Sequence, residues 1–520
     1  MNVVTVEEMH RLEQRAVDAG VSIPELMERA GLAVAVATRE ELGGAAGRRI
    51  VVLVGPGNNG GDGLVAGRHL ARWGAVVTAF VPVERREPDL LASSARGFGC
   101  EVLGPNDVLL EEKLDTADLV IDALLGTGRG RALDGSIAAT LALVKRSKAT
   151  VISVDVPTGI DADMGTIDPI TVPADVTVVL GRPKMGLFQP DVARIAGRPT
   201  MAEIGLPEET GVDGIQLIDA SLVRAALPER ASGDHKGSFG RVLVVGGSRN
   251  YVGAPALAGR GAARVGAGLV TLATPASVSG RVSTMMPEAT HVPLRGRGHP
   301  DDAGLEDSPA IAEVARDSDA VLVGPGLGSG KGARAVLGEL LRHPTGADSP
   351  PMVLDADALN ILAESRGWHV GLPSPLVVTP HPGEMARLRG TPTGGIQADR
   401  PRVARESAVG WGVTVVLKGA FTVVADPDGH IAISSWALPA LGSAGTGDVL
   451  AGAIAGLLAQ GVPPFEAACS AVYLHGAAGA LAASDGGDPT AGLLAGDVAD
   501  RLPAAAGTVR RGELPGGAFA

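Results

Sequence analysis

The chain has 520 residues, of which 74 are Gly and 36 are Pro, a share between that of an ordinary globular protein and that of a low-complexity chain. An apolar fraction of 45% and a mean hydropathy of +0.22 place it among core-forming chains, long enough for at least two domains. A net charge of −13 argues against general affinity for nucleic acid or an anionic membrane, and two cysteines, Cys100 and Cys469, exclude a disulfide framework.

The opening segment MNVVTVEEMHRLEQ is charged early and lacks an apolar run, so it does not read as a secretory signal. Short β-branched runs then recur at 50–54, 76–81, 119–121, 151–154 and 176–180, each followed by a Gly-rich loop and an Ala/Leu-rich stretch. The polar, turn-rich segment Gly205–Gly214 reads as a seam, and IDASLVRAALPER after it as a helix N-capped by Asp219. The series resumes at 242–245, 269–272, 320–323, 352–354, 376–378 and 413–417. Continuous apolar strands alternating with helices are the signature of parallel sheets buried on both faces. The expected fold class is therefore α/β, twice, with domains over 1–212 and 213–520. The longest small-apolar stretch, Val449–Ala459, is too short to span a bilayer, and a cytoplasmic enzyme is expected. The halves echo one another: Arg49-IVVLV and Arg241-VLVVG open equivalent units, and AGRxxARxGA occurs at Ala66–Ala75 and at Ala258–Ala267.

In open parallel sheets ligands bind beyond the carboxyl ends of the strands. The polar Gly-rich clusters fall there. The first, Gly55-Pro-Gly-Asn-Asn-Gly-Gly-Asp-Gly63, satisfies G-x-G-x-x-G in form. Two Asn and an Asp, however, crowd the turn where a pyrophosphate needs bare backbone. Amide and carboxylate side chains suit a sugar, a phosphate edge and a cation together. Asp122 in LVIDALLGTGRGR and Asp155 in VISVDVPTGIDAD end two further strands and should converge with Asn59 over one crevice. With Thr158 these are hard oxygen donors, the choice for a monovalent or divalent cation. In the second half GPGLGSGKG at Gly324–Gly332 resembles a P-loop, but its spacing fails and Gly332 stands where Ser or Thr should be, leaving Lys331 as a surface cation.

The strongest motif is Gly442-Ser-Ala-Gly-Thr-Gly-Asp448. Apolar residues at 449, 450, 453, 454, 457 and 458 follow helical spacing, with Gly461 as a stop. The turn would place free backbone N–H groups and a positive helix end at one point, an anion hole, with Asp448 as a general base toward an attacking hydroxyl. Lys418 opens KGAFT, His381 and Glu384 lie in TPHPGE, and Asp355 and Asp357 lie in DADALN. Lysine is rare in this chain, which draws its positive charge mostly from Arg, so a Lys beside a Gly-rich turn marks a place for a phosphate.

Residues 1–212 resemble the NAD(P)H-hydrate epimerase domain, through GPGNNGGDGL, DALLGTG and SVDVPTGID. The resemblance implies a Rossmann-like three-layer fold that binds hydrated nicotinamide cofactors and K⁺. It implies Asn59, Asp122 and Thr158 as the K⁺ site. The implied substrate contacts are Asn58, Asn59, Gly60, Gly61, Asp62, Gly126, Thr127, Gly128, Arg129, Gly130, Arg131, Ala132 and Asp155. Asp155, partnered by Lys184, is expected to move the proton. Arg29 stands where the family commonly has Asn, and Thr158 keeps the hydroxyl of the commoner Ser.

From His235-Lys236 through GGSRNYVGA, GPGLG, DADALN, TPHPGE, LKGAFT, GTGDVLAG and VYLHGAAG to Leu502, the chain resembles the ADP- or ATP-dependent NAD(P)H-hydrate dehydratase domain, a ribokinase-like three-layer fold. The resemblance implies Asp448 as catalytic base, and Lys418, Gly419, Ala420, Phe421, Thr422 and Gly447 around the nucleotide. Ala254, Gly326, His381 and Asp448 would contact the hydrated nicotinamide. ADP as phosphoryl donor, Mg²⁺ and a homo-oligomeric assembly complete the expectation. The implied function is repair of hydrated NADH and NADPH: the first half interconverts the R and S hydrates, and the second phosphorylates and dehydrates the S form. Two alternatives stand beside it, a vitamin kinase sharing GTGD and, for the first half, a non-enzymatic binding module.

Overall fold

A computed structural model describes residues 1–85, 88–105, 107–127, 132–207, 214–295, 308–342, 349–372, 375–486 and 490–513. The chain forms two compact units, Met1–Gly214 and a second that begins at Ile215. The expected junction at 212 lies outside the described residues.

In the first unit a parallel sheet runs in the order Glu101–Leu103, Val76–Phe80, Arg49–Val54, Leu119–Ala123, Thr150–Val154, Val176–Leu180, Arg198–Ala202. The chain starts at Arg49–Val54, works outward to one edge, then returns to Leu119–Ala123 on the other side. The switch point between those two strands opens the crevice where ligands bind in such sheets. Both faces are covered. Ile50, Val52 and Val54 pack with Met9, Leu12, Ala16, Val34 and Leu64, while Val51 and Leu53 pack with Leu110, Leu114, Leu141 and Val144. Thr5 and Glu8 close a capping box on helix Val6–Asp18, and Ser22 caps helix Ile23–Glu41. That second helix lies so close to helix Asn58–Arg72 that a Cβ on Gly31 would sit 2.4 Å from the Cβ of Val65.

The second unit repeats the plan. From Ile215–Ile218 its strand order continues through Ile431–Ser434, Val423–Ala425, Thr414–Leu417, Leu376–Val378, Met352–Leu354, Ala320–Val323, Arg241–Val245, Leu269–Pro275 and Thr290–Leu294. Val423–Ala425 pairs antiparallel with both its neighbours, and the pairs from Thr414–Leu417 to Thr290–Leu294 are parallel. The switch point here falls between Arg241–Val245 and Ala320–Val323. One face of the sheet packs on helices Ala254–Arg264, Thr446–Ala459, Pro464–Gly486 and Ala495–Arg511. Leu243, Val245, Val321 and Val323, on the other face, are buried as well. Asp219 caps helix Ala220–Ala226 as expected, accepting from Ser221 N and Leu222 N at 3.0 Å.

The α/β fold expected for each half is what both units show, and the parallel strands of the sequence reading are present to within a few residues. Missed are Glu101–Leu103, Arg198–Ala202, Ile215–Ile218, Thr290–Leu294 and the pair Val423–Ala425 and Ile431–Ser434. The first four are short and carry a polar or charged residue within the run, while Val423–Ala425 and Ile431–Ser434 are largely apolar and buried but only three and four residues long. The longest apolar helix is also not the one expected: Pro464–Asp485 has a mean hydropathy of 1.2 and the length to cross a membrane. Most of it, 83% of its apolar window, is buried in the unit's own core, so its composition reflects a central position.

Helices Ala254–Arg264 and Thr446–Ala459 meet backbone to backbone. A Cβ on Gly452 would lie 1.9 Å from the Ala258 carbonyl oxygen, and one on Gly261 would lie 2.2 Å from that of Val449. Gly452→Ala should therefore destabilise the second unit by about 1–3 kcal/mol or more in urea unfolding. Gly410→Ala, on helix Arg400–Trp411 with nothing within 4 Å, should instead stabilise it by about 0.5–1 kcal/mol.

Candidate functional site

In the first unit the Gly55–Gly63 loop turns directly into helix Asn58–Arg72, with Gly57 at the N-cap and no side chain capping it. Asn58 to Asp62 thus open the helix, and the N–H groups of Asn58, Asn59 and Gly60, ahead of its first bond from Gly61 N to Gly57 O at 3.3 Å, are open to a ligand. Gly60 has to be glycine, because a Cβ would lie 2.0 Å from the Gly55 carbonyl oxygen. Beyond the strand ends lies a cavity of about 530 Å³ lined by Asn58, Asn59, Asp62, Gly126, Thr127 and Asp155, together with His10, Glu13, Leu26, Met27 and others from the first two helices. Gly61 packs behind this wall on Met27. Ala132 is exposed and does not line the cavity, and Gly128, Arg129, Gly130 and Arg131 lie outside the described residues.

Asp122 and Thr158 meet as expected. The Thr158 hydroxyl donates to Asp122 Oδ1 at 2.7 Å, and Thr158 N and Leu124 N donate to the same carboxylate at 3.0 and 3.2 Å. Burial pushes the Asp122 pKa up despite these donors, and among the described residues no basic side chain pairs with it. Asn59 lies against the loop that follows: a Cβ on Gly126 would lie 3.0 Å from Asn59 Oδ1. The Asn59 amide nitrogen is buried without a partner.

Asp155 adopts φ 68°, a left-handed conformation costly for a non-glycine residue. Its amide donates to Val178 O at 2.8 Å, and Oδ1 accepts from Leu180 N at 3.0 Å and from Lys184 Nζ. Lys184 is fully buried, and its ammonium also donates to Leu180 O at 2.8 Å. Asp62 shares the cavity. Burial, then the negative charges of Asp155 and Glu13, push its pKa well above the ordinary range, with Lys184 opposing. Arg29 bonds to Glu25 and to the Ile204 carbonyl.

In the second unit Gly445 takes φ 88° and Thr446 begins helix Thr446–Ala459, with the Thr446 hydroxyl bonded to Leu441 O and Ser443 O at 2.9 Å. Asp448 therefore sits in the helix's first turn. Its carboxyl is pushed to about 7, first by burial and then by the neighbouring charge of Asp355, with Lys418 opposing. Lys418 Nζ donates to Asp355 Oδ1 at 2.6 Å and lies 3.9 Å from Glu384 Oε2. A Cβ on Gly447 would lie 3.5 Å from the same ammonium. Burial works against the charge of Lys418, but Asp355 and Glu384 outweigh it and hold the pKa up. Glu384 is pushed to about 7, by burial first. His381 caps the helix that carries Glu384, with its ring accepting from Gly383 N at 2.9 Å.

The remaining expected residues gather at the same strand ends. Gly326 lies on the loop against Ala254, their β positions 3.0 Å apart, and Gly247 N donates to Pro325 O at 2.8 Å across the switch point. Gly419, Ala420, Phe421 and Thr422 wrap around buried Arg400, whose guanidinium donates to Leu417 O, Lys418 O and Ala420 O. Lys331 is exposed at the start of helix Lys331–Leu341, in keeping with a surface cation.

Comparison with known proteins adds the decisive observation. The family described as NAD(P)H-hydrate dehydratase matches residues 242–503, and the one described as YjeF-related protein N-terminus matches residues 24–186. A bifunctional NAD(P)H-hydrate repair enzyme of Moorella thermoacetica is 39% identical over 97% of this chain and 96% of its own length. One from Thermofilum pendens is 36% identical over 98% and 97%. This chain belongs to the family of bifunctional NAD(P)H-hydrate repair enzymes. A solved ADP/ATP-dependent NAD(P)H-hydrate dehydratase from Bacillus subtilis, co-crystallized with ATP/Mg²⁺, is 32% identical and superposes on 57% of this chain and 99% of its own with a TM-score of 0.48.

Three features of this family member escaped the sequence reading. Glu13 and His10 reach the first cavity from a helix read only for what it lacks, a signal sequence. His475, in VYLHGAAG, is buried with a pKa lowered to about 4 by burial, and its Nε2 donates to the Thr446 carbonyl at 3.0 Å, anchoring the Asp448 turn. Arg400 holds the KGAFT loop from 17 to 20 residues away in sequence. A lone polar, titratable residue in an apolar run was the available signal for His475. Nothing in the pattern marked the other two.

Breaking a buried ion pair by removing one partner costs about 3–5 kcal/mol. Lys184→Met should lower the stability of the first unit by that order in denaturant unfolding, and the double variant with Asp155→Asn should recover much of it. Equal losses in single and double variants would show that the pair is not what holds this strand end.

Proposed function

We propose that the first unit interconverts the R and S hydrates of NADH and NADPH and that the second dehydrates the S hydrate at the expense of ADP. The observation that carries the reading is the presence of two strand-end sites in one chain, each with a lysine–aspartate pair beside a glycine turn at a helix N-terminus. A vitamin kinase has no use for the first site, and a binding scaffold has no use for a cavity carboxylate held by a buried lysine.

In the second unit Asp448 takes the proton of the ring hydroxyl as its oxygen attacks the terminal phosphorus of the nucleotide. The Gly445–Gly447 turn supplies backbone donors and the positive helix end to the transferring group, and Lys418 supplies a cation held in place by Asp355. Phosphate, unlike hydroxide, is a good leaving group, and its departure with loss of a ring proton restores the dihydronicotinamide. Ala254, Gly326 and His381 contact the hydrated ring; Gly419–Thr422 and Gly447 hold the nucleotide. Asp355, Asp357 and Glu384 all act on Asp448 around a single lysine, a carboxylate excess that fits a divalent cation carried in with the nucleotide. Glu384, beside Lys418 and Asp355, would help hold Mg²⁺, which neutralises phosphate charge when bound, and Asp448 stays free to take the proton.

In the first unit Asn59, Asp122 and Thr158 fit K⁺. They offer amide, carboxylate and hydroxyl oxygens, and Asp122 is buried without a cation partner among the described residues. K⁺, when bound, supplies the positive charge that Asp122 lacks. Asn58, Asp62, Gly126, Thr127 and Asp155 face the substrate, and the Lys184–Asp155 pair positions the proton-transfer group.

Recovery of NADH absorbance from an epimer mixture of hydrated NADH plus ADP tests the reading. Wild type should run to completion; a stop at the S fraction, followed only by spontaneous epimerisation, would remove the first activity. Asp448→Asn should lower the nucleotide-dependent rate by about 10²-fold or more and leave epimerisation intact. Because Asp448 acts in its deprotonated form and titrates at about 7, kcat/KM of the dehydration should rise with pH and level off above that value. Asp122→Asn should reduce epimerisation and abolish its dependence on K⁺, measured by replacing K⁺ with tetramethylammonium.

A further inference from the structure

The cavity of the first unit has two walls of different origin. Strand ends and the first turn of helix Asn58–Arg72 build one, which carries Asp155 and Asp62. Helices Val6–Asp18 and Ile23–Glu41 build the other, and Glu13 is the one acid among the residues it contributes to the cavity. Met9, Leu12 and Ala16 form the buried stripe of the first helix, and Glu13 lies on its flank, half-buried. Among the described residues no hydrogen bond or ion pair holds its side chain. Burial raises its pKa, with His10 and Lys184 opposing and Asp155 adding to the rise, so it senses the pair across the cavity. A half-buried carboxyl without a structural partner is costly to keep unless it acts on what the cavity binds.

Epimerisation gives it a task; the inference rests on that reading of the first unit. Hydration beside the nitrogen of a dihydronicotinamide leaves a hydroxyl on a carbon bonded to that nitrogen. When a proton reaches this oxygen, the nitrogen lone pair expels it as water, breaking the C–O bond and forming a C=N iminium. Water then adds to the opposite ring face: its lone pair makes the new C–O bond, the C=N π electrons return to nitrogen, and its surplus proton leaves to a carboxylate. Nothing is oxidised or reduced. The leaving and entering oxygens lie on opposite faces, so a group fixed on one wall cannot serve both. We propose that Glu13 is a catalytic residue of the epimerisation, exchanging the proton on the ring face toward the helical wall while Asp155 exchanges it on the other. In one direction Glu13 protonates the leaving oxygen and Asp155 deprotonates the entering water; in the other the roles swap, and solvent resets the protonation states.

The test follows purified R hydrate converting to S hydrate by chromatography, without nucleotide, with the full chain and K⁺ present. Glu13→Gln should lower kcat by about 100-fold in both directions with KM within about threefold, and Glu13→Asp should keep at least about a tenth of the rate. The titratable groups facing the cavity are His10, Glu13, Asp62 and Asp155, with Lys184 buried behind Asp155 and acting on Glu13 through its charge. The pH profile of Glu13→Gln should lose one limb relative to wild type, which a packing defect would not do. A Glu13→Gln rate within threefold of wild type would overturn the proposal. So would equal losses in Glu13→Gln and Glu13→Asp with an unchanged pH profile, since Glu13 would then be structural. If wild type itself fails to accelerate the conversion, the epimerase reading falls first and this assignment with it.

Discussion

Each unit depends on a carboxylate that ends a buried parallel strand and is kept there by a lysine from the end of another strand, fully buried in the first unit and partly so in the second. Asp155 follows Thr150–Val154 and is met by Lys184 beyond Val176–Leu180; Asp355 follows Met352–Leu354 and is met by Lys418, directly after Thr414–Leu417. Taking both charges out of water costs several kcal/mol per ion before their attraction is counted, so such a pair does little for stability. Its worth lies in fixing a charged group in space without a hydration shell, where it acts on a substrate with little reorganisation. The chain's preference for arginine is relaxed at these points because an ammonium is a compact donor that fits between strand ends.

Backbone strain follows the same pairs. Among the described residues, three non-glycine residues have φ between +50° and +70°: Asp155 itself, Ala356 next to Asp355, and Phe421 on the loop that Lys418 opens. A left-handed residue without glycine costs about 1–3 kcal/mol and persists only where its surroundings over-determine it. Here the surroundings are adjacent strands, whose registers fix where each turn must begin. The two units also share a simpler device: Arg49 N and Arg241 N each donate to an aspartate, Asp118 or Asp319, that immediately precedes the neighbouring strand. The sequence echo between Arg49 and Arg241 thus marks a common way of aligning the two strands that flank each switch point.

This explains what could be read in advance. Parallel strands buried on both faces are continuous apolar runs, and the polar residues that end them stand out against that background, which is why Asp122, Asp155, Asp355 and Lys418 were visible. Asp448 was visible because glycine, threonine and aspartate cannot precede a helix in that order without shaping its first turn. Glu13 and Arg400 were not, since each lies on an amphipathic helix where a charged residue is ordinary, and only the packing of that helix decides whether it faces solvent or a site. The edge strands were missed for a related reason: with few partners they need little apolar surface, so their composition resembles a loop.

The backbone contact between helices Ala254–Arg264 and Thr446–Ala459 has a consequence for the chemistry at their ends. Side chains between helices act as compressible spacers that hop among rotamers; bare peptide planes in contact leave no such freedom. Both helices begin at the same crevice, one with Ala254 and the other with the Gly445 turn. The spacing between a ring-binding wall and a phosphate-binding turn is thereby set by covalent geometry, and the excess of glycine in this chain serves as a ruler as much as a hinge.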